Sequence, residues 1–132
     1  MATKKNTEEK IKLPESWEEF CQQTNRNPNA LSDVSMYEEK HKRHAIADFK
    51  LTLVIEHCNG GPLDYKDGST KYEPWFQIIS DPAKPSGLGL RFNGYDGWNA
   101  NTICGPRFAF KTIKILLHVV KFFIEEYCDL HL

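Results

Sequence analysis

No stretch of this chain reaches the roughly 18 continuous apolar residues of a membrane-spanning helix. The best candidate, Ile113 to Ile124, is interrupted by Lys114, His118 and Lys121, so no membrane anchor is expected. Neither sign of charge is in excess: 17 basic and 18 acidic side chains leave a formal charge of −1. That balance excludes a nucleic-acid coat over the whole surface and a polybasic membrane binder. The four cysteines, Cys21, Cys58, Cys104 and Cys128, lie far apart in segments of different character. They do not make the dense framework of a disulfide-stapled secreted scaffold, and reduced, mostly buried thiols are expected. Met1 to Lys12 holds no apolar core and no small-residue cleavage pattern, and it reads as a solvated arm without a secretory leader. Motifs of fixed chemistry are missing as well. There is no Walker loop, no G-x-G-x-x-G and no paired-carboxylate motif, and Ser86-Gly87-Leu88-Gly89-Leu90 is too short to cradle a phosphate.

What is present is ordinary globular material. The chain has 132 residues, 40% hydrophobic and 27% charged, which fits one domain able to bury a real core. The expected division is an arm over residues 1–12 and a single α+β domain over residues 13–132. The sharpest pattern is C-terminal. Lys114, His118, Lys121, Glu125 and Asp129 fall on one narrow helical stripe, and apolar residues from Ile113 to Leu130 fill most of the remaining circumference. At about 1.5 Å per residue the segment from Lys111 to Leu132 would span roughly 33 Å. A helix of that kind is either the centre of the core or is covered partly by another chain.

The remaining elements follow from caps and turns. Ser16 with Glu19 makes a capping box for a short first helix whose Trp17, Phe20 and Cys21 share a face. A second helix is read from near Ser35 to about His57, closed by Asn59-Gly60-Gly61 and Pro62. Phe49 to Glu56 also alternates well enough for a strand, but the charged and Ala-containing turns before it favour helix. Five of the seven prolines lie between Pro62 and Pro106, where short strands are expected at Tyr72 to Ile79, Leu88 to Phe92 and Pro106 to Phe110. Pro74 suits an edge position. The fold class expected is therefore α+β: two N-terminal helices, a small three-stranded antiparallel meander and a long apolar C-terminal helix packed on the sheet.

His41-x-x-His44 and Cys128-x-x-His131 have helical spacing for a shared cation, yet histidines among Glu38, Glu39, Lys40, Lys42 and Arg43 are ordinarily solvated, so no metal and no cofactor are expected. Cys104 with His118 or His57 is a weak nucleophile and base pairing, and a lone cysteine beside a strand is usually a small buried hydrophobe. No enzyme activity is expected. For binding, the loop from Asn93 to Gly105 carries Tyr95, Trp98 and three asparagines, and with Trp75, Phe76, Phe122 and Phe123 it supplies the partner-binding residues. The competing reading folds Trp98 back over the sheet. A nucleic-acid alternative draws on Lys40, Lys42, Arg43, Lys50 and Arg107, diluted by Glu38, Glu39 and Asp48. A third reading is a small-ligand sponge that stacks a nucleotide-like molecule on loop aromatics.

Lys71-Tyr72-Glu73-Pro74-Trp75-Phe76, Gly87-Leu88-Gly89, Gly105 to Thr112 and Phe123-x-x-x-Tyr127-x-Asp129-Leu130 resemble uncharacterised small proteins of phages and mobile elements from gut anaerobes of the Bacteroidetes type. The likeness spans about Tyr37 to Leu130 and departs at Gly61-Pro62-Leu63-Asp64-Tyr65, where those proteins carry more aromatics. It implies no activity, only a context: an accessory protein of the bacterial host cytoplasm or the virion. The function expected is non-enzymatic binding of a protein partner, as a virion component or host-directed inhibitor, with homo-oligomerisation through the terminal helix or the aromatic loop.

Overall fold

A computed structural model describes residues 12–99 and 108–132. Six elements follow one another: α1 (Trp17–Thr24), α2 (Glu39–Cys58), β1 (Lys71–Ser80), β2 (Leu88–Trp98), α3 (Ile113–Phe122) and α4 (Ile124–His131). The architecture is α+β, with four helices and one two-stranded antiparallel sheet.

The helices start where side chains can cap them. Ser16 Oγ accepts the Glu19 N–H at 3.0 Å, and Thr112 Oγ1 accepts the Ile115 N–H at 3.2 Å, so each satisfies a donor that the helix itself leaves open. The segment from Phe49 to Glu56 is helical and lies inside α2, which resolves its two possible periodicities. Gly60 and Gly61 follow with φ of +80° and +134°, a region closed to most side chains. Gly61 N–H then donates back to Glu56 C=O at 2.9 Å and stops the helix.

Three expectations are corrected. The first is the third strand. Phe110 forms one isolated bridge with Tyr72, through N–H···O bonds of 2.8 and 3.0 Å, and the bonded pairing does not extend along Phe108 and Ala109, while Pro106 and Arg107 lie outside the described residues. The backbone there is diverted by the buried Asn59, whose side-chain amide donates to Ala109 C=O at 3.0 Å and accepts the Lys111 N–H at 2.9 Å. The second is strand β2, which runs on to Trp98, so Tyr95 and Trp98 belong to the sheet and not to a loop. The third is the single long apolar helix. It is broken at Phe123, with φ −121° and ψ 26°, and the second half carries Glu125, Glu126, Asp129 and His131.

That break contains neither proline nor glycine, the ordinary sources of a kink. Phe123 N–H still bonds Val119 C=O at 2.8 Å and Tyr127 N–H bonds Phe123 C=O at 3.1 Å, so the deviation is confined to the one residue. Phe123 has 0% exposure. Packing with neighbouring elements, which no local propensity encodes, coincides with the bend.

The core gathers around this bent pair. Trp17 and Phe20 of α1, Leu51, Val54 and Ile55 of α2, Phe108 and Phe110, and Leu116, Val119, Phe123 and Tyr127 form one buried cluster. Tyr72, Phe76, Leu90 and Phe92 of the hairpin close it from the sheet side. α4 lies along α2, while α3 reaches β1 and α4 reaches β2. His118 joins the N-terminal segment to α3 through a 2.8 Å hydrogen bond between its Nε2 and Pro14 C=O. Of the expected arm, residues 1–11 lie outside the described residues. Lys12 is held to α1, its C=O accepting from Gln23 Nε2 at 2.9 Å.

Phe123 was expected on a partner surface, and its burial removes it from there. Truncation to Phe123→Ala should cost about 3–5 kcal/mol, and Asn59→Ala about 1–3 kcal/mol through the two bonds left unmade. Urea unfolding of each variant measures both losses, and a change within experimental error for either would contradict its place in the core.

Candidate functional site

The hairpin of β1 and β2 carries the exposed side chains of Trp75, Ile78, Leu88 and Tyr95, and Trp75 borders a cavity. Its strands pair from Lys71 with Trp98 to Ser80 with Leu88, and the register shifts between Trp75 and Phe76, where Trp75 faces Gly94 but Phe76 faces Phe92. Asn93 is thus the extra residue of a bulge. Gly94 takes φ +121° beside it, a conformation that a side chain would strain. The turn is held by Asp81 N–H donating to Gly87 C=O at 2.9 Å, and Lys84 pairs with Glu125 of α4.

Alternation along β1 separates Phe76, which packs on Tyr127 with ring centroids 4.8 Å apart, from Glu73 and Trp75 on the other face. Trp75 is 58% exposed, Ile78 60% and Tyr95 46%. Tyr95 meets Tyr72 edge to face at 6.1 Å. Trp98, half-buried at the end of β2, is paired with Lys71. The Lys71 ammonium is itself buried, bonded to Asp67 Oδ1 at 2.6 Å and to Ser69 Oγ at 2.7 Å. The Lys71 ammonium, and then the Ser69 hydroxyl and N–H that also donate to Asp67 Oδ1, hold the Asp67 carboxyl well below the usual carboxylate range, and Lys71 is a structural fastening of the preceding loop.

A cavity of about 340 Å³ runs along Glu73 to Phe76 and is closed by Asp96, Phe108, Tyr127 and His131. Glu73 and Asp96 are direct cross-strand partners. Burial, and then the Asp96 charge, push the Glu73 carboxyl above its ordinary value. Tyr127 is 2% exposed, and its hydroxyl has no hydrogen-bond partner among the described residues. Burial raises that phenol far out of the physiological range, so it stays protonated.

The expected partner-binding residues are not one patch. Trp75, Tyr95 and Trp98 all lie on the hairpin, at ladder positions opposite Gly94, Pro74 and Lys71, Phe76 faces the core, Phe122 is half-buried against His118 at 4.7 Å, and Phe123 is enclosed. The basic set is dispersed. Lys42 pairs with Glu39 at 2.9 Å, Arg43 with Asp129 at 3.5 Å and with the Leu132 C=O at 3.0 Å, and Lys50 sits over the Trp17 ring at 5.5 Å. Arg107 and Cys104 lie outside the described residues. The two candidate metal pairs do converge where α2 meets α4, since His44 is close enough to His131 to lower its pKa. No cluster of three metal-ligating side chains forms there or elsewhere among the described residues.

Comparison with protein families, with curated proteins and with solved structures finds no match. The site therefore has to be read from its own geometry.

Glu73 and Asp96 were not picked out as a pair from the sequence. The alternating pattern ends the second strand at Phe92, and only its continuation across the bulge brings Asp96 into register with Glu73. No helix among the described residues is long and apolar enough to cross a membrane. The thiols of Cys21, Cys58 and Cys128 are free and buried, and burial pushes the Cys58 thiol up to about 12, which leaves no nucleophilic thiolate there.

Two histidines set a pH dependence. Burial holds His57 below its ordinary 6.5, and burial together with the His44 charge does the same to His131. The unfolded chain therefore takes up protons that the folded chain refuses. The stability these groups contribute is complete above their unfolded value and is lost as pH falls through it toward the lower folded values. The melting temperature should fall between about pH 7.5 and about pH 5.5, and His57→Gln/His131→Gln should flatten that fall. Thermal melts of both proteins across the range test this; parallel curves would contradict it.

Proposed function

We propose that this chain is a non-enzymatic accessory protein that works by docking a protein partner onto its β-hairpin. The observation that carries the reading is the concentration of exposed apolar side chains there. Of the eight large hydrophobic residues exposed among the described residues, four, Trp75, Ile78, Leu88 and Tyr95, belong to β1 and β2, and the others, Leu31, Met36, Tyr37 and Leu117, lie outside the sheet. Exposed apolar side chains carried by one element are a common mark of an interaction surface, and Trp and Tyr are the residues that most often anchor one. Among the described residues both hairpin strands also keep unpaired backbone edges, β2 along its whole length and β1 beyond the Tyr72 bridge, and an extended partner segment can pair there.

The terminal helices are less suited to this role. Leu116, Val119, Val120, Phe123 and Tyr127 are occupied within the chain, so self-association, where it occurs, would use the hairpin. The resemblance to small phage and mobile-element proteins supports an accessory role in the bacterial host cytoplasm or the virion, as a virion component or host-directed inhibitor. The dispersion of Lys42, Arg43 and Lys50 into separate contacts favours a protein partner over a nucleic acid.

The test compares the wild type with Trp75→Ser/Ile78→Ser/Tyr95→Ser, whose side chains contribute little to the core. Each chain is exposed to bacterial extract, and the recovered protein is then purified and measured in isolation; sedimentation over a concentration series reports self-association. The variant should keep its melting temperature and lose binding by about 2 kcal/mol or more. Binding that survives the triple variant but disappears on Lys40→Glu/Lys42→Glu/Lys50→Glu, with steep salt dependence, would overturn the reading in favour of nucleic acid.

A further inference from the structure

The free edge of β2 has a pattern that selects its partner. Tyr72 exchanges both backbone bonds with Phe110, so its polar groups point away from β2. Antiparallel alternation then bonds Lys71, Glu73 and Trp75 across to Trp98, Asp96 and Gly94 and, past the bulge, Gln77 to Arg91 and Ile79 to Gly89. The outward-pointing backbone groups of β2 are therefore those of Leu88, Leu90, Phe92, Tyr95 and Gly97. In keeping with this, Gly97 N–H turns to the side chain of its own neighbour, Asp96 Oδ1, at 2.8 Å. Side chains of Leu90, Phe92 and Tyr95 share the face that carries Phe76, while Arg91 and Asp96 stand on the opposite face. Arg91 donates to Gln77 Oε1, and Asp96 stands beside a like charge, Glu73. Among the described residues neither Arg91 nor Asp96 takes part in a salt bridge.

From this pattern we infer that β2 pairs antiparallel with β2 of a second copy of the chain, setting Leu90 opposite Gly97, Arg91 opposite Asp96 and Phe92 opposite Tyr95. In that register the outward donors and acceptors of the two strands meet, and a twofold axis repeats every contact. Each Arg91 faces an Asp96 of opposite sign, which offsets the repulsion that Glu73 imposes on Asp96, and Phe92 with Tyr95 makes an aromatic cross-strand pair. A shift of two residues either way sets Arg91 against Gly94 or Trp98 and leaves both charges unmatched. The bulge at Asn93 names the occupant. A straight strand falls out of register beyond a bulge, which is how bulges ordinarily protect an edge. A second copy carries the same extra residue at the same level, Asn93 against Gly94, so the register holds on both sides. The inference rests on the hairpin being the docking element and identifies what fills one of its edges. α3 and α4 take no part, and their cover remains their own chain. Two short edge strands bury less than a standard interface, so the pair is weak, with a dissociation constant on the order of 100 µM.

Sedimentation of the intact chain from about 10 µM to about 1 mM should show the mass rising from one copy to two. Amide NMR shifts between the dilute and the concentrated sample should centre on Leu90, Phe92, Tyr95 and Gly97. Arg91→Asp and Asp96→Arg each set like charges against one another across the pair and should each weaken association by about tenfold. An equimolar mixture of the two variants should recover it, because each copy then supplies the charge that the other needs. An effect confined to one chain is not rescued by mixing. The inference is overturned if the wild type stays monomeric at the highest concentration, if both variants associate as tightly as the wild type, or if the mixture stays as weak as its components. A monomeric wild type that still captures a partner lost by Trp75→Ser/Ile78→Ser/Tyr95→Ser would overturn this pairing alone and leave the docking role standing.

Discussion

One buried amide joins the parts of this molecule that otherwise have no covalent reason to meet. Asn59, 7% exposed at the end of α2, donates to Ala109 C=O and accepts from Lys111 N–H. The residue between them, Phe110, bridges Tyr72 of β1 and has 0% exposure. The next residue after Lys111 is Thr112, the cap of α3. A single side chain therefore fixes the exit of α2, the flank of the sheet and the entry to the terminal helices. Because both of its bonds are shielded from water, leaving either unmade would strand a buried polar group.

From that junction the terminal helices run back through the middle of the fold. Burial of Leu116, Val119, Phe123 and Tyr127 against α1, α2 and the hairpin consumes the apolar circumference that makes the segment conspicuous. The polar stripe meets water or specific partners: His118 bonds Pro14 C=O, Glu125 pairs with Lys84 and Asp129 with Arg43. With the helices spent on the interior, the hairpin is left as the element that faces outward with Trp75, Ile78 and Tyr95. Its bulge at Asn93 matters for the same reason, since it sets which side chains of β2 stand opposite Glu73 and Trp75.

Local chemistry was readable from the sequence wherever one or two residues decide it. Ser16 and Thr112 cap as their side chains require, Gly60 and Gly61 end α2, and Trp17, Phe20 and Cys21 share the buried face of α1. Pro74 stands on β1 where the missing donor is tolerated. Features set by contacts distant in the chain were not readable. Asn59 looks like an ordinary helix stop, and nothing local says that it reaches fifty residues onward to Ala109. The bend at Phe123 has no proline or glycine to announce it. A period-two pattern also ends at a bulge, so Asp96 was left out of β2 and the acidic pair in the cavity was missed. The exposed aromatics Trp75 and Tyr95 were identified as binding residues from their type, whereas Phe123 differs from them only in where the fold places it.

The terminal helices are the hidden centre of a single chain. Native-state hydrogen exchange of the amides from Leu116 to Tyr127 tests this most directly. Protection equal to the global unfolding free energy, and unchanged on dilution, is the predicted result. Exchange that is fast, or that accelerates as the protein is diluted, would show that a second chain covers these helices and would contradict it.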